Sequence, residues 1–197
     1  MSIYLRINPQ RSGLTNLPRQ AKLQNMTQES EEARLMMAAL SNRLFFRLYQ
    51  CANMLHKTGT RALDKHRVTT QQWAVLGALS RPAFEKGVAV GDLAAFLLVS
   101  RQNLAGLLSR LEAQGLVEKA VDANDNRSRL IRLTETGKAL WQVDMQPAIA
   151  AYYADALQGF STDDRIHLIH YLDKMLKNFK AIDPDAGDEA ADKAAAE

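Results

Sequence analysis

The chain has 197 residues, 47% of them hydrophobic and 24% charged, with a formal net charge of +3. That balance supports a packed core and argues against a disordered polypeptide, and the single cysteine, Cys51, excludes an internal disulfide and points to a reducing compartment. No apolar run reaches the length of a membrane span and the N-terminus lacks the apolar core of a secretory signal, so a cytoplasmic protein with no membrane partner is expected.

The charge is uneven. Residues 183–197 hold Asp183, Asp185, Asp188, Glu189, Asp192 and Glu197 against Lys193, a balance of −5, so the other 182 residues carry +8. A basic body with an acidic tail suits a partner rich in phosphate. At the other end, residues 1–27 contain Arg6, Arg11, Arg19 and Lys22 and no acid. Pro9, Gly13 and Pro18 break any helical period there, which predicts a flexible basic arm that either touches phosphates or has no role.

From about Gln28 to Lys57 the spacing predicts a long helix. Met37, Leu40, Leu44, Leu48, Cys51 or Ala52, and Leu55 form a stripe that Met36, Phe45, Phe46 and Tyr49 widen. A small domain cannot cover so broad an apolar surface, so a second copy of the chain is expected to do so. On that stripe Cys51 is expected to be a buried small hydrophobe rather than a nucleophile. Gly59 starts a connector to Val68, with a helical turn around Ala62–Lys65. Thr69 with Gln72 reads as a capping box for a helix through Ser80, with Trp73, Val75, Leu76 and Leu79 inward and Arg81-Pro82 as its stop. A short helix near Gly91–Leu97 follows, anchored by Leu93, Ala94 and Leu97 but lacking a Ser or Thr cap at Ala89 or Val90.

Val99–Thr134 carries the chemistry. Ser100 caps a helix by accepting from the Asn103 N–H. Leu104, Leu107, Leu108 and Leu111 fall on one face, and Gly115 suits the left-handed stop. The opposite face presents Gln102, Gly106, Ser109 and Ala113, flanked by Asn103 and Arg110 and free of carboxylates. A solvated face normally mixes both signs of charge; this one suits a polyanion. Gln and Asn can bond adenine edges, Arg can fork onto guanine, and Gly106 lets the backbone approach. Two strands follow, Leu116–Lys119 and Leu130–Thr134, joined by the polar loop Asp122–Arg129. Arginines on such a thin loop, Arg127 and Arg129, can enter a minor groove. A polar helix face followed by a basic hairpin is a winged helix-turn-helix arrangement.

Beyond the hairpin, Thr134 and Gly137 open a second long helix containing Leu140, Trp141, Val143, Ile149, Tyr152 and Tyr153, kinked at Pro147 and ended by Gly159. Ser161, with Asp163 and Asp164, caps a last helix through about Lys180, striped by Ile166, Ile169, Leu172, Met175, Leu176 and Phe179. After Pro184 the chain is acidic and rich in alanine, and disorder is expected. No internal repeat, glycine-rich phosphate loop or paired-cysteine metal spacing is present. Neither catalysis nor a cofactor is therefore expected. His167 and His170, one turn from Asp163, could hold zinc, but an exposed polar face is the expected reading and no metal site is assigned. His56 and His66, near the connector, point to no chemistry.

The residues Leu93-Ala94, Val99-Ser100-Arg101-Gln102, Leu111-Glu112, Gly115-Leu116-Val117, and Asp125-Asn126-Arg127-Ser128 closing at Leu133-Thr134 with Gly137, resemble the MarR (multiple-antibiotic-resistance regulator) family over about residues 30–180. The resemblance implies a mainly α protein with a small β-wing. A winged helix over about 68–133 would sit within a single domain at 28–182, with a dimerisation region built from the helices at about 28–57 and 134–180. It implies a transcriptional regulator, commonly a repressor, that binds double-stranded DNA as a homodimer. Ser100, Arg101, Gln102, Asn103, Gly106, Ser109 and Arg110 would lie at the major groove. Arg127 and Arg129 would lie at the minor groove, Arg127 held in pose by Asp125. Relatives also bind small aromatic acids between the dimer helices and the DNA-binding lobe. The matching segments here offer Arg43, Phe46, Arg47, Tyr49, His56, Trp73 and Tyr152 for such an acid or its coenzyme A thioester. Two other readings stand beside this one. A thiol sensor would use Cys51, although Phe45 occupies the position of the sensing cysteine in relatives. A helical dimer that binds proteins and not DNA would leave its basic face solvated.

Overall fold

The computed structural model describes residues 19–121 and 129–183. Two compact units share the chain, divided between Thr60 and Arg61. The first is represented by one helix, α1 (Arg19–Ala62), 44 residues long, whose last turn enters the second unit. It begins well before the expected start at Gln28, so residues 19–27 are helix rather than flexible arm; residues 1–18, with Arg6 and Arg11, lie outside the described residues. The reason is local: no proline or glycine interrupts Arg19–Thr58, and strong helix formers dominate that stretch. Gly59, read as the start of the connector, is a buried residue inside the last turns of the helix. Leu40, Leu44, Phe45, Phe46 and Tyr49 are all half or more exposed. Cys51, expected to be buried on the same stripe, is also exposed, because a single helix cannot cover its own apolar face.

In the second unit a 3-10 turn (Asp64–His66) and a left-handed Arg67 lead into α2 (Thr70–Leu79). The capping box forms as its residues predict. Thr69 Oγ1 accepts from the Gln72 N–H at 3.3 Å, and Gln72 Oε1 accepts from the Thr69 N–H at 2.9 Å. That second bond satisfies the amide oxygen of Gln72, the buried polar side chain of this core. After Arg81 a 3-10 turn (Pro82–Phe84) leads to β1 (Val88–Ala89), α3 (Val90–Leu97) and α4 (Arg101–Ala113). Helix α3 starts with no side-chain cap, as the absence of Ser or Thr implies. Its entry is instead set by β1, which pairs antiparallel with the later strand β3 through Val88↔Ile131 and Ala89↔Leu130. Two residues are too few to show alternation, so the sequence did not reveal this strand. Between α3 and α4 the chain reverses at Leu98 in the left-handed region (φ 55°).

Strands β2 (Val117–Val121) and β3 (Arg129–Leu133) complete a three-stranded antiparallel sheet in the order β1-β3-β2. The register runs from Val117↔Leu133 to Val121↔Arg129. Helix α5 (Glu135–Ala139) then continues through a π-turn (Leu140–Met145) into α6 (Gln146–Ala156). The kink expected at Pro147 takes this form: the Gln146 N–H reaches back five residues to the Trp141 carbonyl, one residue further than an α-helical bond. Widening the turn places Pro147, which has no N–H, at the start of a fresh helical segment, where that donor is not needed. Leu63, Leu76, Leu93, Leu104, Leu111, Ile131 and Met145 are the fully buried heart of the unit, so the first helices, the sheet and the π-turn share one core.

Helix α7 (Thr162–Ile182) is capped by Ser161, whose Oγ accepts from the Asp164 N–H at 3.1 Å while Asp164 accepts from the Ser161 N–H at 2.9 Å. The Ser161 hydroxyl and N–H hold the Asp164 carboxyl below its ordinary pKa. This cap is therefore intact above the usual carboxylate range and is lost as pH falls through the lowered value. The stripe of Ile166, Ile169, Leu172, Leu176 and Phe179 is exposed along α7. Residues 184–197, the expected acidic tail, lie outside the described residues.

Candidate nucleic-acid interface

Helix α4 is fixed from both sides of its chemistry. Ser100 Oγ accepts from the Asn103 N–H at 3.2 Å, closing the N-terminus, and Leu104, Leu107, Leu108 and Leu111 are at most 5% exposed. Those four contacts bury one face and rotate Gln102, Asn103, Gly106, Ser109 and Arg110 together onto the exposed one. Among the described residues, the side chains of Gln102, Asn103 and Arg110 have no hydrogen-bond or ion-pair partner, so their donors and acceptors are unspent. A Cβ on Gly106 would meet nothing within 4 Å, so no packing inside the chain demands glycine there. Ser100 and Arg101 are exposed at the N-terminus of the helix. The Arg101 guanidinium lies beside Gly91 of α3, with its Nη2 3.6 Å from where a Cβ on Gly91 would stand.

Two carboxylates nearby are paired with cations. Glu112 Oε2 pairs with Lys119 Nζ of β2 at 2.8 Å, and Glu118 Oε1 pairs across the ribbon with Arg132 Nε at 2.7 Å. Both pairs are exposed and contribute little to stability. Their effect is on the field: neither acid opposes an incoming polyanion. Arg129, at the start of β3, is exposed and has no ion-pair partner among the described residues. The tip of the ribbon, with Asp125 and Arg127, lies outside the described residues.

The other residues singled out in the sequence are dispersed by role. Arg43, Phe46, Arg47, Tyr49 and His56 are exposed along α1, where Arg47 Nη1 donates to Gln50 Oε1 at 2.9 Å. In the second unit Trp73 is buried against Tyr152 and Tyr153, with ring centroids 6.2 and 5.6 Å away. Burial raises the Tyr153 hydroxyl above its usual pKa. His167 and His170 both lie against the Tyr171 ring. Among the described residues, no three His, Cys, Asp or Glu side chains are grouped to hold a metal. Missing from the sequence reading was a cavity of about 300 Å3 whose lining includes Arg81, Lys138 and Trp141. Its one advance signal was Pro147, which forces the π-turn beside it.

Known proteins place this arrangement. The MarR family profile matches residues 68–128, which run from the entry of α2 to the tip of the wing. The transcriptional activatory protein BadR of Rhodopseudomonas palustris is 53% identical over 171 residues, covering 87% of this chain and 96% of that protein. The homoprotocatechuate degradative operon repressor of Escherichia coli is 30% identical over 115 residues, covering 58% of this chain and 74% of that protein. Among solved structures, the S. aureus MepR–DNA complex matches in fold with a TM-score of 0.60 at 22% identity, over 68% of this chain and 96% of that one. With α4 presenting its polar face, a two-stranded wing behind it and this kinship across most of its length, the chain belongs to the MarR family of winged helix-turn-helix transcriptional regulators.

Proposed function

We propose that the chain acts as a homodimer, with α4 of each copy in the major groove of a near-palindromic operator and each wing in the adjacent minor groove. The observation that carries this is the exposed face of α4, polar, without an unpaired carboxylate, and held in register by four buried leucines. Gln102 and Asn103 suit adenine edges and Arg110 suits guanine; Ser100, Arg101 and Ser109 complete the contact. Arg127 and Arg129 supply the minor-groove probe, with Asp125 bracing Arg127 through a charge-assisted bond. The exposed apolar stripes of α1 and α7 support a second copy as their cover. Two-fold symmetry then requires half-sites about one helical turn, ~34–36 Å, apart.

A small aromatic acid, or its coenzyme A thioester, is proposed as the effector that releases DNA. The regulation of a homoprotocatechuate operon by the 30% identical relative supports that chemical class. A ligand that favours one spacing of the two α4 helices shifts the equilibrium with about 1–3 kcal/mol of coupling. Repression is the proposed direction. Activation is the second reading, favoured by the name of the 53% identical relative, and transcription in vitro from a promoter bearing the operator separates the two.

Arg127→Ala should weaken operator binding by about 1–3 kcal/mol and lower the salt slope by roughly one, while the dimer persists. Fluorescence anisotropy across a salt series reads both quantities. Unchanged affinity at physiological salt would refute the role of the wing, and affinity indifferent to salt would favour a protein-binding dimer instead. Gly106→Ala should move stability and affinity in opposite directions. Removing a mid-helix glycine stabilises by roughly 0.5–1 kcal/mol, whereas the added methyl obstructs the approach of the helix to the groove. A variant that is more stable and binds operator as well as before would remove Gly106 from the interface.

A further inference from the structure

The second unit offers room apart from the aromatic residues that the family resemblance assigns to an effector. Trp73 is only 8% exposed, and Tyr152 and Tyr153 already pack against its ring. The cavity of about 300 Å3 opens instead between the end of α2, the loop carrying Arg81 and Glu85, the end of β3 and the π-turn. Trp141 forms one wall, pressed so closely on α2 that a Cβ on Gly77 would lie 2.8 Å from its ring. The π-turn carries Trp141 and Gln142, Gln146 opens α6 directly after it, and such turns are frequent at functional sites.

Apart from Ser80, whose Oγ donates to the Gly77 carbonyl at 2.8 Å, the polar groups of this cavity are unspent or weakly held. Arg81 stacks over Phe96 at 5.2 Å and has no ion-pair partner among the described residues. The side-chain amides of Gln142 and Gln146 make no hydrogen bond among the described residues. Lys138 Nζ meets Glu135 at 2.7 Å in an exposed pair that a ligand can exchange. With Lys138 paired to Glu135, Arg81 is the cation of the lining that has no ion-pair partner among the described residues, and Glu85 is its one carboxylate. A flat aromatic wall, an unpaired arginine, two side-chain amides and one carboxylate acceptor suit a ring bearing one carboxylate and a hydroxyl.

We propose that this cavity is the effector site: a hydroxylated aromatic monocarboxylic acid lies against Trp141, with its carboxylate held by Arg81 and assisted by Lys138, and its hydroxyl donating to Glu85. The proposal rests on the aromatic-acid reading above and moves it from the Trp73 cluster to the π-turn. The cavity joins the end of α2 and the end of β3 to the start of the π-turn. A guest there bears on the elements that carry the wing and on the helix continuing into α6, which is the placement a DNA-releasing switch requires.

The chain has two tryptophans, Trp73 and Trp141, so each candidate site carries its own reporter. The full chain, labelled with 5-fluorotryptophan and assigned through Trp73→Phe and Trp141→Phe, would be titrated with 4-hydroxybenzoate and with homoprotocatechuate by fluorine NMR. Calorimetry would supply the Kd. The expected result is a shift of the Trp141 resonance with Trp73 unmoved, and a Kd raised about tenfold or more by Arg81→Gln in a chain that still melts cooperatively. Arg81→Lys should recover part of the loss. Binding that shifts only Trp73, or that Arg81→Gln leaves unchanged, would overturn the cavity assignment and leave the aromatic-acid reading standing. The absence of both a resonance shift and heat with either acid would overturn the cavity assignment and the free-acid reading together, leaving the coenzyme A thioester.

Discussion

Gly137→Ala is expected to destabilise the second unit by about 3 kcal/mol or more, a large share of the roughly 5–15 kcal/mol that holds a domain folded. A Cβ at this buried position would collide with the Leu116 carbonyl oxygen. Most overpacked sites relax by moving a side chain, but here the obstacle is backbone and is held from two directions. The Leu116 carbonyl accepts from the Thr134 N–H at 3.1 Å, and the neighbouring Gly115 carbonyl accepts from Thr134 Oγ1 at 2.6 Å. Thr134 Oγ1 in turn accepts from the Gly137 N–H at 3.0 Å as the cap of α5. Moving Leu116 aside therefore loosens the cap of α5, the end of α4 and the start of β2 together. Urea unfolding followed by far-UV circular dichroism reads the change directly. A loss under about 1 kcal/mol would mean that α5 and the start of β2 are not in this close approach.

Leu44→Glu and Ile169→Glu are each expected to convert a dimer into monomers and to reduce operator affinity by at least a hundredfold. Both side chains are more than half exposed in the single chain, so neither change removes a contact from the chain's own core. If the stripes of α1 and α7 are covered by a second copy, a carboxylate placed there must be buried without a partner. The cost is several kcal/mol per charge, and two-fold symmetry doubles it. Operator affinity falls because two half-sites held by one rigid dimer become two independent and weaker encounters. Sedimentation equilibrium separates this result from simple misfolding: a folded monomer with an intact thermal transition is expected. A variant that stays dimeric at micromolar concentration would place the interface elsewhere.

Much of the architecture is legible in the sequence. Leucines at 104, 107, 108 and 111 fix which side of α4 is inward, and that alone fixes which side is left for a partner. Thr69 with Gln72, Ser100 and Ser161 announce three helix starts, and all three caps form. These signals are local. A cap is a bond between residues three apart, and an amphipathic period is a property of one helix, so neither needs to know where the rest of the chain goes.

The failures share the opposite character. Nothing near Val88 and Ala89 shows that they pair with Leu130 and Ile131, some forty residues later, because two residues carry no alternation. The extension of α1 back to Arg19 and forward through Gly59 was missed because a basic, polar stretch reads as an arm when no apolar period is visible. Cys51, expected to be buried on a stripe covered by a second copy, is exposed in the single chain.

By itself the sequence determined the helix-turn-helix, the strands of its wing and the polar face of α4, since each follows from short-range spacing and from residue chemistry that survives unfolding, and its motifs carried the resemblance to the family. The tertiary structure alone decided three things: that Trp73 is enclosed by tyrosines, that Trp141 beside Arg81 and Lys138 borders open space, and that Gly137 has no room for a side chain. The physical reason is that packing and empty volume are set by segments far apart in the chain arriving at one place, which no window of neighbouring residues contains.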